Sequence, residues 1–265
     1  REEYDYYCNK IVGKMVNIKK MFGKYPVLRQ CVEKRITYSI NFYKEILEHF
    51  SKHRAAISDQ LCGANSSLKI VSIESKHSDV HRGGRHVVKV RLNDGSGILY
   101  KPHSMENEQQ FGELLLWMSR GLKIDQLDYK FLSYEDHSWC SIVEYKSCKT
   151  EDGIKKYYKR IGVQLFLAYF LGTHDLHCEN IIASGEYPVL IDLETIVNVQ
   201  PSKERITADA EVKYQLAHSV LFTGLLPIYT WNKDGYGIDN SGISGGTGNY
   251  YPFKIPIVSK AETSD

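Results

Sequence analysis

At 265 residues the chain is long enough to bury a substantial core, as one large domain or as two closely packed lobes. Its 42% hydrophobic and 25% charged content is ordinary for a globular protein, and a formal charge of +2 gives no reason to expect nucleic acid as a partner. Six cysteines stand singly with no CxxC pair, which argues against a structural zinc site or a small disulfide framework and for reduced thiols in the cytoplasm. The polar start Arg1-Glu2-Glu3 lacks a signal-peptide pattern, and no apolar run is long enough to span a membrane. A start without Met and an end with no closing element point to a piece of something larger.

In chain order, residues 28–50 predict a long amphipathic helix, with Leu28, Val32, Ile36, Ile40, Tyr43, Leu47 and Phe50 on its apolar face. Residues 61–67 predict a connection. Alternating runs at 68–74, 87–92 and 97–100, the last two joined by Asn93-Asp94-Gly95-Ser96, predict a small antiparallel sheet, because Asp-Gly between such runs favours a hairpin. A helix over 106–120 and strands over 129–133 and 138–144 follow. Residues 154–171 predict an apolar helix buried on most sides, and 181–183 and 189–191 predict two short strands. The Gly-rich stretch 234–250, including Ser241 to Gly248, predicts a mobile loop rather than a P-loop, since no Lys-Ser/Thr ending follows. This order is that of an α+β, bilobal, kinase-like fold preceded by a long helix. Its parts are a helical segment 1–66, a β-rich lobe 67–146 ending in a hinge near 144–146, and a helical lobe 147–265.

Chemistry concentrates in Asp175-Leu176-His177-Cys178-Glu179-Asn180, followed after two strands by Ile191-Asp192-Leu193-Glu194. Phosphoryl transfer needs a group beside the attacking hydroxyl and oxygen ligands for Mg²⁺, which keeps several waters and so asks few ligands of the protein. Asn180 and Asp192 fit the second need. Asp175 or His177 fits the first, as the group that orients or deprotonates the acceptor. His174 reads as structural. Lys101, closing a strand in Leu99-Tyr100-Lys101-Pro102, is placed to reach ATP phosphates, with Glu108 or Glu113 on the next helix as its carboxylate partner. Gly83 and Gly84, flanked by Arg82 and Arg85, permit a close backbone approach to phosphate, although the segment is not GxGxxG.

Together these segments resemble the dehydratase domain of class II lanthipeptide synthetases: Asp79-x-His81-x-Gly83-Gly84-Arg85, Tyr100-Lys101-Pro102, residues 175–183 and residues 188–195. Tyr25-Pro26-Val27-Leu28 and the stretches around Ser219 and Pro227 extend the resemblance over roughly 20–230. The resemblance implies a lipid-kinase-like fold. It also implies phosphorylation of Ser and Thr in a ribosomally made precursor peptide by ATP with Mg²⁺, then phosphate elimination to dehydroalanine and dehydrobutyrine. It assigns Lys101 to ATP phosphates, Asp175 and His177 to the acceptor and transferred phosphoryl group, Asn180 and Asp192 to Mg²⁺, and Glu194 to support of the site. His103 replaces the family's usual Arg after Lys-Pro. The Arg and Thr of the family's elimination step correspond to no residue identified in this chain, and the family's zinc-dependent cyclase domain is absent from it. Two other readings share parts of the pattern: a small-molecule kinase of aminoglycoside or choline type, and a catalytically silent peptide-binding module.

Overall fold

The structure, a computed structural model, describes residues 2–64, 67–75, 82–197, 207–231 and 237–244. Of these, 2–53 and 82–86 form one compact unit, and the remainder form a second.

The first unit is helical: α1 (Glu2–Tyr6), a π-type turn (Tyr7–Val12), α2 (Met15–Lys24) and the first part of α3 (Pro26–Leu61). Pro26 opens α3, where its missing N–H costs nothing and its fixed φ suits the first turn. The helix runs eleven residues past the expected end. Its buried face is only in part the expected one: Phe50 is buried as expected, but with Phe42 and Ile46 at four-residue steps, whereas Leu28, Ile36, Ile40 and Leu47 are exposed. In so long a helix, apolar residues at three- and four-residue spacing trace more than one face, and packing selects between them. The 3-10 turn Arg82–Gly84 belongs to this unit. Arg85 forms an ion pair with Glu45 of α3, and the His86 ring packs at a tilt against Phe42 with ring centroids 5.0 Å apart.

The second unit mixes helix and sheet. Strands β1 (Ile70–Glu74), β2 (Val88–Leu92), β3 (Gly97–Lys101), β4 (Phe131–Ser133) and β5 (Ser138–Ser141) form an antiparallel sheet in the order β1-β2-β3-β5-β4. Alternation sets its buried face: Val88, Val90, Leu92, Ile98 and Tyr100 are buried, while Arg91 points to solvent. Tyr100 and Trp139 pair across β3 and β5 with ring centroids 4.9 Å apart. Gly95 turns the β2–β3 hairpin at φ +86°, a conformation that glycine adopts without a Cβ clash. Helix α4 (Glu106–Leu122) leaves from β3. Its start is held by Met105 N–H, which donates to the hydroxyls of Ser133 and Ser138 at 2.8 and 2.9 Å.

Helix α5 (Glu151–Leu171) starts earlier than expected because Thr150 caps it, accepting from Gly153 N–H at 3.0 Å. It is amphipathic rather than enclosed: Ile161, Val163, Leu167 and Ala168 face a core shared with Phe111 and Leu115 of α4, while Tyr158, Phe166 and Phe170 are exposed. The hairpin β6 (Ile181–Ser184) and β7 (Tyr187–Leu190) packs against α5, and Lys146 extends it by pairing in parallel with Ser184. Helix α6 (Ala208–Ala217), a 3-10 turn (Val220–Thr223) and a second hairpin, β8 (Tyr229–Trp231) with β9 (Gly237–Asp239), complete the unit. The described part of the expected C-terminal loop is therefore ordered strand and turn, because its backbone pairs with β8 and, as shown below, with the loop after α5. No helix among the described residues is long and apolar enough to cross a membrane.

Arg160 locks this hairpin to the rest of the unit. Its guanidinium, only 3% exposed, donates to the Asp125 and Glu186 carbonyls at 2.7 and 2.8 Å and to both of their carboxylates, and lies 4.0 Å from the Tyr187 ring centroid. Arg160→Met removes the buried donor to two carbonyls and two carboxylates and is expected to lower stability by about 2–3 kcal/mol in urea denaturation. Hydrogen bonding from Tyr187, then from Arg160, holds the Asp125 carboxyl below the usual carboxylate range. A depressed folded-state value stabilises above the ordinary carboxylate pKa and is lost as pH falls through the depressed one. Asp125→Asn should therefore flatten the acid limb of a stability-versus-pH curve.

Candidate active site

Helix α5 ends at Gly172 in the left-handed conformation, and the next eight residues form an irregular loop. Leu176, 1% exposed, anchors it in the core. Asp175 adopts φ +68°, which turns the chain so that Leu176 points inward while the Asp175 carboxylate remains 62% exposed. Aspartate is among the few residues that tolerate this region. His177 caps the 3-10 turn Cys178–Asn180 by accepting from Glu179 N–H at 3.2 Å, and its Nε2 lies 3.8 Å from the Asp175 carboxylate.

Asn180 is buried, and its side-chain amide is spent inside the loop. The Nδ2 group donates to the Asp175 carbonyl at 2.9 Å and approaches His177 Nε2 at 3.3 Å. The carbonyl of Asp175 can only accept, which fixes the amide orientation and leaves the Asn180 Oδ1 atom without a protein partner among the described residues. At the far end of the hairpin the Ile191 N–H donates to the Asn180 backbone carbonyl at 2.9 Å, so Asp192 follows directly beyond the residue facing Asn180. Asp192 is also left-handed, at φ +60°, and exposed, between Ile191 and the buried Leu193. Glu194 sits in the following turn and is exposed. Two threonines tie this turn to the loop: Thr195 donates to the His174 carbonyl at 2.5 Å and Thr173 to the Ile196 carbonyl at 2.8 Å. His174 stacks on Phe222 at 5.3 Å, which fits a structural role.

The structure thus brings together Asp175, His177, Asn180, Asp192 and Glu194. Lys101 is buried at the end of β3 and lines a cavity of about 250 Å³ whose lining also includes Ile191 and Leu193, the two neighbours of Asp192. Of the two candidate carboxylates, Glu108 is buried in that cavity. Glu113 is exposed and accepts from Gln109 at 3.1 Å. Gly83, Gly84 and Arg85 belong to the first unit, where the Arg85 charge is engaged by Glu45, while Asp79 and His81 lie outside the described residues. The oxygen donors of Asn180, Asp192 and Asp175 suit a hard divalent cation such as Mg²⁺.

Sequence reading did not identify what holds the loop from behind. Leu176 N–H donates to the Thr223 carbonyl and Cys178 N–H to the Asn240 carbonyl, both at 2.9 Å, and His177 bridges Ser241. Gly224 and Gly242 press directly on the loop backbone: a Cβ at Gly224 would lie 3.0 Å from Leu176 N, and one at Gly242 would lie 2.7 Å from the Leu176 carbonyl oxygen. The only sequence signal was glycine itself. Gly224→Ala, placed at φ +77° against fixed backbone, is expected to cost about 1–3 kcal/mol and to shift the His177 ring resonances in an NMR spectrum. Gly23→Ala, with open space around its Cβ, should do neither.

The model of a family described as "Domain of unknown function (DUF4135)" matches residues 25–265. The Lacticin 481/lactococcin biosynthesis protein LcnDR2 of Lactococcus lactis subsp. lactis is 27% identical over 258 residues, which is 93% of this chain and 27% of that protein.

Proposed function

This chain belongs to the DUF4135 domain family, and from that premise we propose that it is the phosphoryl-transferring, kinase-like core of a lanthipeptide dehydratase, acting with ATP and Mg²⁺ on Ser and Thr of a ribosomally made precursor peptide. The name of its relative, a lacticin 481/lactococcin biosynthesis protein, supports the lanthipeptide-modifying role. The observation that carries the reading is the placing of Asn180 Oδ1, without a partner among the described residues, and the exposed Asp192 carboxylate at the open end of one hairpin.

Mg·ATP supplies the transferable phosphoryl group when bound. Asn180 and Asp192 are the metal ligands in this proposal. Lys101 binds the nucleotide phosphates from the sheet side. Its buried position leaves its ammonium poorly solvated, and a phosphate anion compensates that better than water at a cavity mouth. Asp175 holds the acceptor hydroxyl and takes its proton, with His177 at 3.8 Å orienting the carboxylate or sharing that role. Glu194 supports the site from the turn that Thr195 fixes. Elimination of phosphate and ring closure belong to the complete enzyme, whose further partner is a cyclase domain.

The test is mass spectrometry of a Ser/Thr/Cys-rich precursor peptide after incubation with the chain and Mg·ATP. Phosphopeptide made by the wild type and lost in Asp192→Asn is the expected result, with kcat reduced at least about a hundredfold by loss of a charged ligand at the transferring group. Loss of water in addition would place elimination within this chain. ATP turnover that needs a small alcohol and leaves the peptide unchanged would replace the reading with a small-molecule kinase.

A further inference from the structure

Residues 145–148, between β5 and α5, form an extended segment that is paired on one side only among the described residues. Lys146 spends both of its backbone groups on β6 and its turn: its N–H donates to the Ala183 carbonyl at 2.8 Å, and its carbonyl accepts from Gly185 N–H at 2.7 Å. The Cys148 thiol adds a third tie, donating to the Gly185 carbonyl at 2.8 Å. Along an extended chain, the N–H and C=O of one residue point to one side and those of the next residue to the other. The backbone groups of Tyr145 and Ser147 therefore point away from β6, and they make no hydrogen bond among the described residues. Both residues are exposed. A groove of about 350 Å³ lies along this edge, and its lining includes Ile154, Tyr157 and Tyr158 of α5 and the Gly242 to Ser244 segment. Tyr145 is 74% exposed and Tyr158 54%, so two aromatic rings stand in solvent beside unpaired backbone. Among the described residues that line the groove, Lys146 is the only charged one, and it forms no ion pair among them. The Gly242 to Ser244 wall continues from Asn240 and Ser241, which hold the loop that carries Asp175 and His177.

An open edge is a template for a further strand. A second copy pairing through the same edge would bring two Lys146 side chains together, whereas an acidic segment is attracted to that lysine. We infer that the 145–147 edge is a docking site for a segment of the peptide substrate, bound in extended conformation as an added strand. The backbone of the segment pairs with the outward N–H and carbonyl groups of Tyr145 and Ser147. Its alternate side chains lie on Tyr145 and Tyr158, and an acidic side chain meets Lys146. Pairing through the main chain reads conformation more than sequence, so one edge serves segments that differ in sequence. The identity of the occupant rests on the peptide-modifying reading above. The groove itself shares no lining residue with the cavity beside Lys101.

The probe is a hexapeptide of alternating glutamate and valine, blocked at both ends, with its lysine and valine counterpart as control. Calorimetric titration is expected to show saturable binding of the glutamate peptide, about three- to tenfold tighter than that of the lysine peptide. Lys146→Glu keeps the backbone pairing with β6 and should reverse that preference. Ser147→Pro removes an outward N–H while leaving Lys146 extended, and should weaken the glutamate peptide at least about tenfold. In hydrogen exchange followed by NMR, the Tyr145 and Ser147 amides should become protected when the peptide binds. Absence of saturable binding, or binding that leaves both amides exchanging freely, would overturn the inference. So would equal affinity for the two peptides, or displacement of the peptide by Mg·ATP, which would give this edge to the nucleotide. With a precursor peptide, phosphorylation without protection of the edge would remove the docking site and leave the phosphorylation reading standing. Protection of the edge without phosphopeptide would do the reverse.

Discussion

The site depends on the loop after α5 being held from behind by backbone alone. An irregular loop in which an exposed Asp175 sits beside a buried Leu176 and Asn180 has no ladder of its own, and its N–H groups would otherwise be left to water. The segment from Thr223 to Ile243 supplies the missing acceptors to Leu176 and Cys178, and glycines at 224 and 242 let it come within contact distance of the loop backbone. Leu176 is driven into the core beneath this clamp, and the left-handed turn at Asp175 is what lets a buried leucine and an exposed carboxylate follow one another.

Charge is arranged around that frame in two layers. Outside, Asp175, Asp192, Glu179 and Glu194 stand exposed near the open end of one hairpin, with His177 Nε2 3.8 Å from the Asp175 carboxylate. Such a cluster gains from a divalent cation, which lowers the mutual repulsion of the carboxylates. Inside, Lys101 and Glu108 are both buried and line one cavity, with no ion pair between them among the described residues. The Arg160 network does the reverse: its guanidinium makes four hydrogen bonds to carbonyls and carboxylates, and these fix the hairpin.

The local parts of this picture were legible in the sequence, and the long-range parts were not. Asp-Gly between alternating runs marked the β2–β3 hairpin, and the Asp175 to Asp192 series marked the loop and hairpin that carry the candidate site, because turn formation acts there over a few residues. The face of α3 was misjudged since Ile36, Ile40 and Leu47 satisfy the helical period as well as Phe42, Ile46 and Phe50 do, and only packing separates them. The backbone clamp left almost no trace, since carbonyls at Thr223 and Asn240 carry no side-chain signature, and Gly242 looks the same in a loop as in a close contact. Gln164 and Arg160 lay hidden in a run that read as apolar helix, because two polar residues whose N–H groups meet distant carbonyls do not disturb the period.

The central claim is that the Asn180–Asp192 end of the hairpin takes a nucleotide through a divalent cation. Calorimetric titration of ATP into the chain with and without Mg²⁺, repeated with Asp192→Asn, tests it most directly. Asparagine accepts the left-handed backbone at 192 as readily as aspartate, so the substitution removes charge and leaves the turn. The account predicts ATP binding that requires Mg²⁺ and is weakened at least about tenfold in the variant. Equal ATP affinity with and without Mg²⁺, unchanged by the substitution, would contradict it.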